Sequence, residues 1–280
     1  MQEVRFPEYR AYEAARVESS NAMMALLAGA GLASHLLQLT QGSSHLLPEV
    51  FPQVPHIGRF NLESEAARVI LDSADAHLGA MSVPYALALH EDFLRTCLSM
   101  LQRAGIASRS QVEVSLAGQH SLIEKLTGDT FDSDSLIQLD VLRSMRNCLI
   151  HGGGLVGSAL ISALQPWTER AEAGWVKLAP SPTRMTIGQR VVFGHGEMIL
   201  ALAVTTKLAR EANRLIQRVV PRSQWADVIV ADYRIETDGN ILAPDFLRKI
   251  RGFARFNYVS LAMTDAELRE AIDRSRLQEK

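Results

Sequence analysis

The chain has 280 residues, 47% of them hydrophobic and 21% charged, with a formal net charge of −2. Such a chain can bury a sizeable core, so a folded soluble protein is expected and a disordered or low-complexity one is excluded. The near-neutral charge excludes a global field that draws in nucleic acid, so any RNA binding must come from local patches.

Cys97 and Cys148 fit no metal or redox spacing and read as reduced core residues of a cytoplasmic protein. The first residues are too polar and acidic for a signal peptide. The longest apolar stretch, about 22–39, is interrupted by Gly29, Gly31, Ser34, His35 and Gln38 and falls short of a membrane span.

Residues 8–39 are dense in Ala and Leu and read as helix, with a break offered at Ser19-Ser20-Asn21. Pro48, Pro52, Pro55, Gly42 and Gly58 make 40–61 a loop. Asn61, followed by acids, starts a helix to about Gly79, and Ser82 with Pro84 starts a second to about Ala104. In that second helix Leu87, Phe93, Leu94, Leu98 and Leu101 supply the buried surface. The stretch 105–133 is mixed, with a short helix over 121–126. Asp132 or Ser133 caps a central helix to His151, whose core stripe is Leu139, Leu142, Met145 and Leu149.

A short helix to Leu164 follows. Residues 174–179 and 185–193 read as a small β-hairpin around Pro180–Pro182. A helix is expected from Glu197 to Val219, another from Ser223 to Ile235, and another from Asp245 to Tyr258. Thr264-Asp-Ala-Glu267 is a capping box for the last helix, with a frayed end over 275–280. The fold class expected is mainly α. The expected division is an N-terminal helical extension (1–60), a helical body (61–220) and a C-terminal helical extension (221–280).

The chemistry concentrates at Leu142–Gly154. An apolar helix carries Arg146, Asn147 and His151 into its last turns, and three glycines stop it. The carbonyl end of the helix favours the imidazolium form of His151, and the cation of Arg146 opposes it. This balance suits acid–base chemistry near neutral pH. On a straight helix Asn147 and His151 share a face, while Arg146 and His151 are about 140° apart, so the long Arg146 side chain must bend back. Arg143 borders the same face. Two guanidiniums, an amide and an imidazole suit a phosphodiester: Arg pairs with the anionic oxygens, and His moves a proton at the attacking or leaving oxygen.

Arg146-Asn147-Cys148-Leu149-Ile150-His151 resembles the R-N-x-x-x-H signature of the HEPN domain, over roughly residues 60–220. The resemblance implies a HEPN-like helical bundle and a homodimer joined through the motif helix. It also implies a metal-independent endoribonuclease that uses the RNA's own 2′-OH, with Arg146, Asn147 and His151 catalytic. No metal or cofactor is implied, and no Asp/Glu/His cluster has metal-ligand spacing. Family analogy points to a toxin or anti-phage (antiviral) defence setting. The alternative is a non-catalytic HEPN-like dimer that binds a partner protein, nucleic acid or nucleotide. A regulatory protein partner is a further expectation. No membrane association is expected.

Secondary candidates are weaker. His90 and Glu91 form a polar cluster in an apolar helix; in a helical hairpin they would lie near the motif and orient His151 or Arg146, and the commoner reading is a solvated strip. Lys207, Arg210, Arg214 and Arg218 recur along one helix face, and Arg248, Arg251 and Arg255 along another. Phe246, Phe253, Phe256 and Tyr258 interleave with the second stripe, as single-stranded RNA binding requires. Solvated faces and core aromatics are the commoner source of the same patterns.

Overall fold

A computed structural model describes residues 2–59, 61–112 and 118–278, and the protein is mainly α-helical. The helices are α1 (Pro7–Leu37), α2 (Leu47–Val50), α3 (Ser64–Asp72), α4 (Ala74–Arg103), α5 (Arg109–Val112), α6 (Gln119–Thr127) and α7 (Ser133–His151). They continue as α8 (Ser158–Ala163), α9 (Glu169–Trp175), α10 (His195–Val219), α11 (Arg222–Thr237), α12 (Phe246–Asn257) and α13 (Asp265–Gln278). Residues 113–117 of the mixed stretch, and 279–280 of the expected frayed end, lie outside the described residues.

Two compact units are interleaved along the chain. The first comprises Met1–Ala15, Ala88–Leu136 and Val204–Lys280, and the second Arg16–Leu87 and Ile137–Ala203.

In the first unit the N-terminal residues belong to the core. Val4, Phe6, Tyr9 and Tyr12 are all buried. Phe6 packs on Phe93 at 6.2 Å and on Trp225 at 5.8 Å, and Tyr12 stacks on Phe93 at 5.0 Å. Asn213 holds the segment that leads into α1 from both sides, accepting from Val4 N at 3.1 Å and donating to its carbonyl at 2.8 Å. Arg5 N donates to the Asn257 carbonyl. The Arg10 guanidinium then grips the buried Asp232 carboxylate through two bonds of 2.8 and 2.9 Å. Tyr258 adds its hydroxyl to the same carboxylate at 2.6 Å. Burial, then the bond to Asp232, drives the Tyr258 phenol far above its ordinary value.

The C-terminal helices close this unit. The capping box forms as expected: Glu267 accepts from Thr264 N at 2.8 Å, and Thr264 Oγ1 accepts from Glu267 N at 3.3 Å. The Arg222 guanidinium and the Thr264 N–H hold the Glu267 carboxyl down at about 2.

In the second unit the core gathers Leu139, Val141, Leu142 and Met145 of α7 with Leu160, Trp175, Val83 and Phe193. Gln138 Nε2 donates to the Ala171 carbonyl at 2.8 Å, tying α7 to α9. Gly79 is required because Phe193 passes against it: a Cβ there would lie 2.0 Å from the Phe193 carbonyl oxygen.

Several elements depart from the sequence reading. α1 does not break at Ser19-Ser20-Asn21, because the residues flanking them are good helix formers and no Gly or Pro intervenes. From residue 17 onward it leaves Val17, Met24, Leu26, Leu32 and Leu36 exposed. With the turn that follows, this helix is long and apolar enough to cross a membrane by length and composition, which the interrupting polar residues argued against.

The expected break near Gly79–Ser82 is absent, and α4 runs through it with Pro84 inside the helix. Burial of Val83, Ala86 and Leu87 offsets the roughly 3 kcal/mol that an interior proline costs. The β-hairpin at 174–179 and 185–193 does not form. Thr168 caps α9 through Ala171 N at 2.9 Å, so Gly174 and Trp175 end a helix, and Trp175 is fully buried. Residues 188–191 pair instead with 154–156, through an isolated antiparallel bridge between Leu155 and Arg190.

Candidate functional site

The motif occupies the C-terminal end of α7, in the second unit. Two backbone bonds stop the helix: the N–H groups of Gly152 and Gly154 both donate to the Cys148 carbonyl at 3.0 Å. This closure needs φ of 63° at Gly153 and 78° at Gly154, the left-handed region that glycine enters without strain. The chain leaving the helix is then fixed. Val156 N donates to the Gln189 carbonyl and Val191 N to the Gly154 carbonyl, each at 2.8 Å.

Along this last stretch the apolar positions Met145 and Cys148 stay buried while the polar motif positions become progressively more exposed. Arg143 is buried at 8% exposure, with Asp140 3.9 Å from its guanidinium. Arg146 is half-buried, and Asn147 and His151 are exposed. An imidazole and an amide are therefore presented to solvent on one face of the helix, while the Arg146 side chain is partly withdrawn and that of Arg143 is buried. Ile150 at 52% exposure and Leu155 at 45% give the site an apolar rim.

Arg190 is a neighbour that the sequence did not suggest. The bridge to Leu155 brings its guanidinium beside Gly154, where an added Cβ would meet Nη1 at 3.8 Å. It stands 39 positions along the chain from His151, in a segment read as hairpin, so no local spacing signals it. Arg190 thus adds a guanidinium from a separate segment to a helix end that exposes an amide and an imidazole. Among the described residues no group of three or more His, Cys, Asp or Glu side chains could hold a metal ion.

The polar pair of α4 is not a solvated strip. His90 and Glu91 are buried in the first unit, not in the unit that carries the motif. His90 Nε2 lies 3.0 Å from His120 Nε2, the rings stack at 5.1 Å, and Phe131 meets His120 edge-on at 4.9 Å. The two imidazoles share one hydrogen bond, so one must donate and the other accept. His120 gave no sequence signal, because its partner is 30 positions away.

The stripe on α10 is engaged with carboxylates. Lys207 pairs with Asp132 at 2.9 Å, Arg210 lies 3.9 Å from Glu3, Arg214 lies 3.8 Å from Glu211, and Arg218 pairs with Asp129. Burial pushes the Asp132 carboxyl up, but hydrogen bonds from Lys207 and Ser135 outweigh it and hold the group at about 2. On α12, Arg248 and Lys249 share Asp245, and Arg251 meets Asp265 at 3.0 Å. Phe246 and Tyr258 are buried, and Phe253 packs on Tyr233 at 5.4 Å. Arg255 and Phe256 remain exposed to solvent.

No family model, no curated protein and no solved structure matches this chain.

Proposed function

We propose that the protein is a metal-independent endoribonuclease of the HEPN type. It works as a homodimer joined through α7, with two copies of the motif forming one composite site. His151 is the general acid/base, Arg146 holds the scissile phosphate, and Asn147 positions the phosphate or the imidazole. The RNA's 2′-OH attacks the adjacent phosphorus and the 5′-oxygen leaves, giving a 2′,3′-cyclic phosphate and a free 5′-OH. The biological setting suggested by the family analogy is a toxin or defence effector.

The observation that carries this reading is the exposure of His151 and Asn147 beside a half-buried Arg146 at a rigidly stopped helix end. A motif that served packing alone would bury the amide and the imidazole. The exposed Ile150 and Leu155 beside them favour a second copy as what covers the rim, since apolar side chains around a polar site lose least when an identical face meets them. The same rim also favours the alternative, a non-catalytic dimer that binds a protein, nucleic acid or nucleotide partner.

Purified protein incubated with mixed RNAs, followed by analysis of product ends, separates the two. Cleavage with 2′,3′-cyclic phosphate ends is expected, unaffected by EDTA and lost in both His151→Ala and Arg146→Ala while the circular dichroism spectrum is unchanged. Cleavage that persists in both variants removes the nuclease reading.

A further inference from the structure

The part of α1 that belongs to the second unit carries two stripes, and only one of them is covered. The inner stripe is Met23, Leu27, Ala30, Ser34 and Leu37, spaced by four, three, four and three residues, and every member is buried or half-buried. The outer stripe is Ala22, Ala25, Gly29, Leu32, Leu36 and Leu39, with the same alternation of three and four. It ends in the 3₁₀ turn Gln38–Thr40 that continues the helix. At about 100° per residue, the two stripes lie about 150° apart round the helix. All six outer residues are exposed, Leu32 at 63%, Leu36 at 44% and Leu39 at 86%.

The cover that suits this stripe is uncharged. Residues 19–48 contain no Asp, Glu, Lys or Arg, so nothing along the stripe selects an anionic or a cationic partner. An alternation of three and four is the seam of a coiled-coil pair, whose apolar side chains recur on average every 3.5 residues. The order of sizes then selects the partner. Small residues, Ala22, Ala25 and Gly29, form the first half of the seam and leucines the second.

Against an identical copy running the other way, Ala22 faces Leu39, Ala25 faces Leu36 and Gly29 faces Leu32, and the two-fold repeats each pair. Every layer then holds one small and one large side chain, as close packing favours. Parallel copies would set leucine on leucine at one end and small on small at the other, splaying the helices. A Cβ added at Gly29 meets nothing within 4 Å, so the space beside it is open. Two such seams bury on the order of 1,000 Å² together, where specific interfaces begin. A bilayer around the helix would also have to take His35 and Gln38, which are exposed on one flank; a second copy leaves that flank in water.

We propose that α1 pairs antiparallel with α1 of a second copy of this chain, through the seam from Ala22 to Leu39. The two-fold passes between Gly29 and Leu32. This face lies on a different helix from the motif, and a chain that also joins through α7 would assemble beyond a dimer.

The test is disulfide trapping on the full chain under mild oxidation, with the native Cys97 and Cys148 both buried. Chains carrying Ala25→Cys are mixed with chains carrying Leu36→Cys, one of the two bearing a size tag. The mixed pair is expected to cross-link. Neither variant alone is, because antiparallel copies set like positions about 16 Å apart along the helix axis. Leu32→Glu in both chains is expected to cut the trapped yield about tenfold or more, since it puts a carboxylate into an apolar seam. Leu32 is exposed, so the circular dichroism spectrum should not change. Gly29→Ala keeps a small residue in its layer and should cross-link as the parent pair does.

Cross-linking within either single variant, none in the mixed pair, or an unchanged yield in Leu32→Glu would overturn the proposal. Flotation of the parent chain with phosphatidylcholine vesicles, lost in Leu32→Glu, would assign the stripe to a bilayer instead. No RNA cleavage enters the measurement, and His151→Ala chains should cross-link equally, so this result stands apart from the nuclease reading.

Discussion

Replacement of Asp232 by Ala probes the anchor that seats the N-terminal residues in the first unit. The carboxylate side chain is 3% exposed and takes three hydrogen bonds, two from Arg10 and one from Tyr258. Removing one member of a buried ion pair costs about 3–5 kcal/mol, chiefly by stranding the partner charge. Here the lower figure applies. Arg10 is 24% exposed and keeps Glu236 at 2.8 Å and the Arg5 carbonyl at 2.6 Å. The Tyr258 hydroxyl, buried without its acceptor, adds about 1 kcal/mol.

A loss of about 4 kcal/mol follows, carried in the first unit. Asp232→Asn keeps an acceptor for Tyr258 and should lose about half as much. Urea unfolding followed by tryptophan fluorescence reads the total, since Trp225 sits in the same core. Amide hydrogen exchange locates it: the N–H groups of Val4 and Arg5, bonded to Asn213 and Asn257, should lose protection first. A cost below 1 kcal/mol, with Val4 and Arg5 still protected, would refute the idea that this carboxylate holds the N-terminal residues in place.

Two glycine substitutions should have opposite signs. Gly79→Ala puts a methyl group 2.0 Å from the Phe193 carbonyl oxygen and should cost more than about 2 kcal/mol despite alanine's better helix propensity. Gly29→Ala, with nothing within 4 Å, should gain up to about 1 kcal/mol. Melting temperatures that move in the same direction would contradict the packing described at Gly79.

Asp132→Asn keeps the cap on α7 but loses the ion pair with Lys207, and near neutral pH should cost about 1 kcal/mol, because Lys207 is 48% exposed and screened. Asp132 is held at about 2, below its ordinary 3.8. The pair therefore stabilises above that ordinary value, and its contribution is lost as pH falls from 3.8 towards 2. The gap between parent and variant, followed by urea unfolding down the pH scale, should close over that window. A gap that stays constant would show that the ion pair is not its source.

Helical character was legible because it is written locally. The 3.6-residue stripe of Leu139, Leu142 and Met145, with Leu149 half-buried at its end, the Thr264–Glu267 box and the glycine stop after His151 each act within a few residues, and the structure has all three. What was not legible depends on partners far along the chain. Pro84 reads as a helix start until Val83 and Leu87 are seen to be buried on either side of it. Residues 185–193 have strand composition, but the backbone they bridge is 154–156, beyond the glycine stop. His120 is an ordinary residue until it meets His90. At the motif, the sequence placed Asn147 and His151 on one face but said nothing of their exposure or of Arg190.

The same contrast decides how the cations are to be weighed. A regular spacing of Lys and Arg along a helix shows only that their side chains share a face, and both basic stripes met that test. Several of the carboxylates opposite them come from other segments: Asp129 and Asp132 from the approach to α7, Asp265 from the start of α13. A phosphate arriving at Lys207 would have to displace Asp132, a group that also caps α7 through Ser135 N at 2.9 Å. Binding there would be opposed by the stability it removed. The end of α7 is built differently: Arg190 reaches it from a segment 39 positions on and stands beside Gly154, three residues past the exposed His151. Phosphate recognition is therefore better sought where arginines from separate segments converge than where they repeat along one helix.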